Sequence, residues 1–158
     1  DPATVLSGSN RRLLADTRAN QFVTVFYAVL EPATGRLTYC NAGHNPPFLC
    51  DGKAKEREQR LPRTGLPLGI FEDAEWEQSG VRLAPGSLLG MYSDGLTDAI
   101  NLDDEPFGEE RLIATIRKSL GRPVREIKGA ILSAVESFVG EAPTFDDITL
   151  LIVGRETE

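Results

Sequence analysis

Ser87-Leu88-Leu89-Gly90-Met91-Tyr92-Ser93-Asp94-Gly95-Leu96-Thr97-Asp98 is a mostly apolar run that breaks abruptly into turn-forming and acidic residues. A run of this length, preceded by Pro85-Gly86, predicts a core strand over 87–92. The arrangement returns in reverse near the end of the chain. Asp146-Asp147 stands immediately before Ile148-Thr149-Leu150-Leu151-Ile152-Val153. That run predicts a second core strand over 148–153, central in its sheet and buried on both faces. If the two strands are antiparallel neighbours, the exit of the first and the entry of the second share one end of the sheet. Asp94 and Asp146 then meet there.

Between these strands the apolar period is helical. Residues 109–120 carry Leu112, Ile113, Ile116 and Leu120, with acids at the start, Arg117 and Lys118 near the end, and Gly121 as a stop. Residues 123–139 carry Ile127, Ile131, Ala134, Val135 and Phe138 on one helical face, with Gly140 after them. The two helices make the long connection that returns the chain. Upstream, residues 3–15 predict a short helix and 22–30 (FVTVFYAVL) a buried strand. Residues 36–40 form its hairpin partner across Glu31-Pro32-Ala33-Thr34-Gly35. Asn41-Ala42-Gly43-His44-Asn45-Pro46-Pro47 predicts the tight centre of a further hairpin, continued by a strand from 48 to 50. Residues 53–60 read as an edge strand or loop, 61–69 as irregular, and 81–83 as a short strand. Strands in hairpins with helices gathered late make an α+β pattern. No linker divides the 158 residues, so a single domain over 1–158 is expected.

Hydrophobic residues at 41% and charged residues at 26% match a globular domain. Seventeen basic against 24 acidic side chains leave a net charge of −7. That balance lacks the basic footprint required by a nucleic-acid backbone. No apolar run approaches the roughly 18 residues of a membrane span. No membrane contact is expected of this domain, and a cytoplasmic location is. Cys40 and Cys50 are expected as buried free thiols. A single histidine and no Cys-x-x-Cys pair leave no structural zinc site. Residue 1 is Asp rather than Met, and the chain reads as a piece of something longer.

Converging carboxylates with no His or Cys beside them favour hard cations with oxygen ligands, Mg2+ or Mn2+. Such a set bridges two ions about 3.5–4 Å apart and activates water for phosphoester hydrolysis. Asp-Gly and Asp-Asp are also ordinary strand-end turn residues, and position alone leaves that reading open. His44 is a candidate general acid. The tight Asn/Gly/Pro loop around it favours a role in ordering the backbone. Phe71 and Trp76 are expected to form a small apolar cluster rather than a substrate platform. Arg63 is expected as a solvated cation rather than a phosphate ligand.

Three motifs now stand in order: 41–47 (NAGHNPP), 92–99 (YSDGLTDA) and 146–151 (DDITLL). Together they resemble the metal-dependent serine/threonine phosphatases of the protein phosphatase 2C (PPM) superfamily. The branch is the bacterial one of sporulation stage II protein E and the sigma-B regulator RsbU. Pro85-Gly86 and Phe107-Gly108-Glu109-Glu110-Arg111-Leu112 fit the same pattern. The resemblance implies an α-β-β-α sandwich of two antiparallel sheets flanked by helices, with two Mn2+ or Mg2+ ions at one edge. It implies hydrolysis of phosphoserine or phosphothreonine on a bacterial regulatory protein, of the anti-sigma-factor antagonist kind. By motif, Asp94 and Asp146 hold metal and Asp98 helps to hold a weaker third ion. Asp147, Gly95 and His44 rank below them, and no catalytic residue beyond the metal ligands is implied.

Two motifs of the family are absent: Gly-Asp-[Phe/Tyr]-Tyr-Asp, which brings a bridging acid, and Asp-Val-x-Gly-His-Gly, which brings an acid and a backbone carbonyl. The expectation is a C-terminal portion of the phosphatase domain that lacks the N-terminal strands. Such a portion has an incomplete metal shell and little or no activity alone. It is expected to pair with the absent half, or with a second copy as a homodimer, or to be a proteolytic remnant. The alternative is a non-catalytic binding or dimerisation fragment. A third reading is another two-metal phosphoester hydrolase reached by convergence.

Overall fold

The computed structural model describes residues 1–16, 21–51, 58–143 and 146–157. Its elements run α1 (Pro2–Asp16), β1 (Val25–Glu31), β2 (Arg36–Ala42), β3 (Phe48–Cys50), β4 (Glu58–Arg60), β5 (Ser79–Arg82), β6 (Leu88–Tyr92), α2 (Asp94–Thr97), α3 (Gly108–Ser119), α4 (Val124–Val139) and β7 (Leu150–Gly154). The strands form two antiparallel sheets, ordered β1-β2-β5 and β4-β3-β6-β7. The α+β class therefore holds. The chain divides into two compact units. One is Asp1–Pro46 with Arg60–Leu83, the other Pro47–Gln59 with Ala84–Glu158. No described helix is long and apolar enough to cross a membrane.

In the first unit β2 is the central strand. It pairs with β1 from Arg36 opposite Glu31 to Ala42 opposite Val25, and with β5 on its other edge. Two neighbours bury Leu37, Tyr39, Cys40, Asn41 and Ala42. The carboxylate of Asp1 accepts the Ala3 N–H at 2.9 Å and caps α1. Leu6 of α1 then packs with Cys40, Ala42, Leu68 and Trp76. Buried Asn10 ties the helix to the following loop: its Nδ2 donates to Phe71 O (2.9 Å), and its Oδ1 accepts the Gly69 N–H (2.8 Å). Trp76 lies in this core with its indole N–H on Leu66 O (2.8 Å), whereas Phe71 is 55% exposed. The expected Phe71/Trp76 cluster therefore divides.

Two expectations about this region are corrected. The strand expected over 22–30 begins at Val25, and Phe22 is largely exposed. It is not a buried strand: its residues are half-buried or exposed, and among the described residues β2 is its one neighbour in the sheet. The segment 41–47 is not the centre of a hairpin either. β2 and β3 lie in different sheets, so the loop carries the chain from one sheet to the other. Cys40 and Cys50 are both buried and free, and burial pushes the Cys40 thiol above its ordinary pKa.

In the second unit β6 lies between β3 and β7. Gly90 sits opposite Phe48, and a Cβ there would run into the Phe48 ring, so only glycine lets the ring cross the strand. Helices α3 and α4 bring Leu112, Ile113, Ile116, Ile127, Ile131 and Val135 onto Phe48, Leu88 and Tyr92. Each fully buried side chain of this size stabilises by about 1.5–3 kcal/mol. Glu109 and Glu110 in the first turn of α3, and Arg117 and Lys118 in the last, complement its dipole. The Tyr92 hydroxyl donates to the Glu109 carboxylate and ties α3 to β6. Phe107 meets Phe138 edge to face at 5.5 Å, with the Arg111 guanidinium 4.5 Å above the Phe138 ring.

The final strand is antiparallel to β6 as expected, from Tyr92 opposite Leu150 to Leu88 opposite Gly154. Its place is not as expected. Among the described residues β7 is the outermost strand of its sheet, not a central one. Leu150 and Ile152 pack on the α3/α4 core, while Leu151 on the opposite face is 55% exposed. An unbroken apolar run signals two-sided burial, but among the described residues the helices of this unit cover the Leu150/Ile152 side. Residues 52–57, 144 and 145 lie outside the described residues, so the expected readings of 53–57 and of the lead-in at 144 fall there.

Candidate functional site

The motif that follows β6 is a closed turn of helix rather than an open loop. Ser93 is extended (φ −80°, ψ 159°), and Asp94 opens α2. The Asp98 N–H donates to Asp94 O at 2.8 Å, and the Thr97 hydroxyl donates to the same oxygen at 3.1 Å. The Asp94 carboxylate accepts the Gly95 N–H at 3.0 Å, which fixes its orientation. Ahead of β7, the Asp146 carboxylate accepts the Asp147 N–H at 2.7 Å. The segment from Asp147 to Thr149 has no regular structure.

Three hydrogen bonds join the two segments. The Ser93 N–H donates to Thr149 O (3.0 Å), the Ser93 hydroxyl donates to Asp147 O (3.1 Å), and the Thr149 N–H donates to Ser93 Oγ (2.9 Å). Gly95 completes the approach. A Cβ on it would lie 2.6 Å from Asp147 O and 3.3 Å from the Asp146 Cβ.

The result is a cleft of about 100 Å³ lined by Asp94, Asp98 and Asp146, by Gly95, and by Val139 and Pro143. All three aspartates are exposed, and among the described residues no lysine or arginine lines the cleft. Among the described residues no ion pair involves Asp94, Asp98, Asp146 or Asp147. Like charges gathered without a counter-ion create a negative potential that attracts cations. The donors are carboxylate oxygens with no imidazole or thiolate, a set that fits Mg2+ or Mn2+. Among the described residues no three His, Cys, Asp or Glu side chains are grouped closely enough to hold an ion by themselves.

The structure thus brings Asp94, Gly95, Asp98 and Asp146 to one cleft. Asp147 adjoins it through its backbone carbonyl, and its side chain is not part of the lining. His44 is half-buried in the loop between β2 and β3, in the first unit. Arg63 is exposed. The residue without a role in the sequence reading is Ser93. Its signal is a serine at the end of a core strand, directly before the acidic turn.

The sequence pattern of Stage II sporulation protein E (SpoIIE) matches residues 1–156. The chain belongs to the SpoIIE family. It is 32% identical over 134 residues to Protein IcfG of Synechocystis sp., which covers 85% of this chain and 21% of that protein. It is 27% identical over 158 residues to Phosphoserine phosphatase RsbU of Bacillus subtilis, covering 98% of this chain and 45% of that protein. The chain therefore spans less than half the length of these curated relatives. The SiaA-PP2C domain of Pseudomonas aeruginosa superposes with a TM-score of 0.86 at 23% identity, covering 99% of this chain and 61% of that one. This likeness shows the PP2C fold. The family is one of protein serine/threonine phosphatases, and the SpoIIE/RsbU-like branch expected from the three motifs holds.

Proposed function

We propose that this chain supplies one side of a Mn2+- or Mg2+-dependent phosphatase centre that hydrolyses phosphoserine or phosphothreonine on a cytoplasmic regulatory protein. The observation that carries this reading is the cleft in which Asp94, Asp98 and Asp146 converge, with no cationic partner among the described residues. Asp94 and Asp146 each spend one carboxylate oxygen on a neighbouring backbone N–H, which holds the group still and leaves its other lone pairs open. Asp98, one helical turn after Asp94, offers a third carboxylate to a more weakly held ion. Bound there, divalent cations supply charge neutralisation for the phosphate and an activated water for its hydrolysis. The remaining oxygen ligands would come from water, from substrate and from residues beyond these.

Both units are read as parts of one phosphatase domain, its C-terminal portion. Support comes from the likeness to the SiaA-PP2C domain over 99% of this chain. RsbU is a phosphoserine phosphatase, and the 27% identity to it supports the substrate class. A phosphorylated anti-sigma-factor antagonist is the proposed partner. The test is hydrolysis of p-nitrophenyl phosphate and of a phosphoserine peptide with Mn2+. A longer chain that also carries the family's upstream acidic motifs is expected to be active, and the 158 residues alone nearly inactive. Mn2+-dependent hydrolysis that survives Asp94→Asn overturns the assignment.

A further inference from the structure

We propose that Ser93 is a positioning residue: its hydroxyl, with the missing side chain of Gly95, sets the separation of the Asp94 and Asp146 carboxylates. The inference rests on the metal-centre reading above and adds to it the device that assembles the centre.

The β6–β7 ladder ends at Tyr92 opposite Leu150. Beyond that pair the described residues on the Asp146 side form no helix or strand; Ile148 packs on the core, while Asp147 and Thr149 are exposed. Ser93 carries the pairing one step further through its N–H on Thr149 O. Its hydroxyl then acts in both directions, donating to Asp147 O at 3.1 Å and accepting the Thr149 N–H at 2.9 Å. A hydroxyl is the smallest group that donates and accepts at once, so alanine leaves both backbone groups without this partner. Gly95, on the far side of Asp94, makes room for the same backbone, since a Cβ would stand 2.6 Å from Asp147 O. Asp94 is therefore flanked by one residue that draws in Asp147 and one that lets it approach. Asp146 follows, because its carboxylate is bonded to the Asp147 N–H. Both Ser93 hydroxyl bonds are exposed, so they contribute little to overall stability, while they fix where a ligand side chain stands.

The experiment is a calorimetric titration of the metal-free full-length protein with Mn2+ alone, alongside its metal-free melting temperature. Ser93→Ala is expected to weaken Mn2+ binding about 10–100-fold, the usual cost of losing a group that orients a ligand. The melting temperature should change little. Ser93→Thr keeps the hydroxyl on an extended backbone that threonine adopts readily, and should bind within about threefold of the parent. Gly95→Ala should weaken binding by a similar factor, and it decides the matter if Ser93→Ala does not fold. Parent-like affinity in Ser93→Ala and Gly95→Ala, with binding lost in Asp146→Asn, overturns the positioning role and leaves the metal centre standing. A Ser93→Thr variant as weak as Ser93→Ala also overturns it. If Asp146→Asn binds Mn2+ like the parent, the metal-centre reading itself fails and this inference falls with it.

Discussion

Asp94 and Asp98 ride on a turn that closes on itself, whereas Asp146 and Asp147 ride on a segment with no turn of its own. In the first segment the hydrogen bonds are internal: Asp98 and Thr97 both reach back to Asp94 O, and the Gly95 N–H reaches the Asp94 carboxylate. In the second, the one internal bond among the described residues runs from the Asp147 N–H to the Asp146 carboxylate. Ile148 packs this segment on the helical core, and the hydrogen bonds that tie it to the neighbouring strand come from Ser93. The two acidic points look alike in sequence, each beside an apolar run. The structure makes one a preformed anchor and the other a tethered arm. A metal centre built this way would depend on the tether as well as on the carboxylates.

The largest expected effect treats the two points alike. Asp94→Asn or Asp146→Asn, in an active longer chain, should lower Mn2+-dependent hydrolysis by more than about 100-fold, beyond the usual cost of losing an orienting group. A loss at only one of them would mean that anchor and arm do not serve one centre.

The fold should respond elsewhere. Ile131, fully buried beneath the sheet, is expected to cost about 2–5 kcal/mol when changed to alanine, read from urea unfolding of this unit. Leu150→Ala or Ile152→Ala should cost about 1–2 kcal/mol, because each packs on the helical core while only half buried.

The smallest effects belong to neighbours of the sensitive positions. Leu151→Ala should cost below about 0.5 kcal/mol, the level of an exposed substitution. A loss comparable to that of Ile152→Ala would show that the outer face of β7 is covered. Asp147→Asn should leave hydrolysis within about twofold of the parent, since its backbone carbonyl rather than its side chain takes part in the tether. A loss as large as that of Asp146→Asn would place the Asp147 carboxylate in the centre.

Local patterns were legible in the sequence, and so was the meeting of the two acidic points. Helical spacing placed Leu112, Ile116, Ile127 and Ile131 on the core face, and two apolar runs gave the antiparallel pair β6 and β7. Partners distant in sequence were not legible. The apolar run of β7 carries no mark of how many sides are covered, and the loop at 43–47 carries none of which sheet follows it. The candidate site was half legible: aspartates announce themselves by type, whereas Ser93 bonds backbone groups of a segment more than fifty residues away. No composition or spacing rule reveals such a contact before the strands are paired.

The central claim is that Asp94 and Asp146 bind one cation together. Its most direct test is a crystal of the active, longer chain soaked in Mn2+, with the ions located by anomalous scattering. A manganese peak contacted by oxygens of both Asp94 and Asp146 is the predicted result. Manganese bound elsewhere, or held by one of these carboxylates while the other points away, would contradict it.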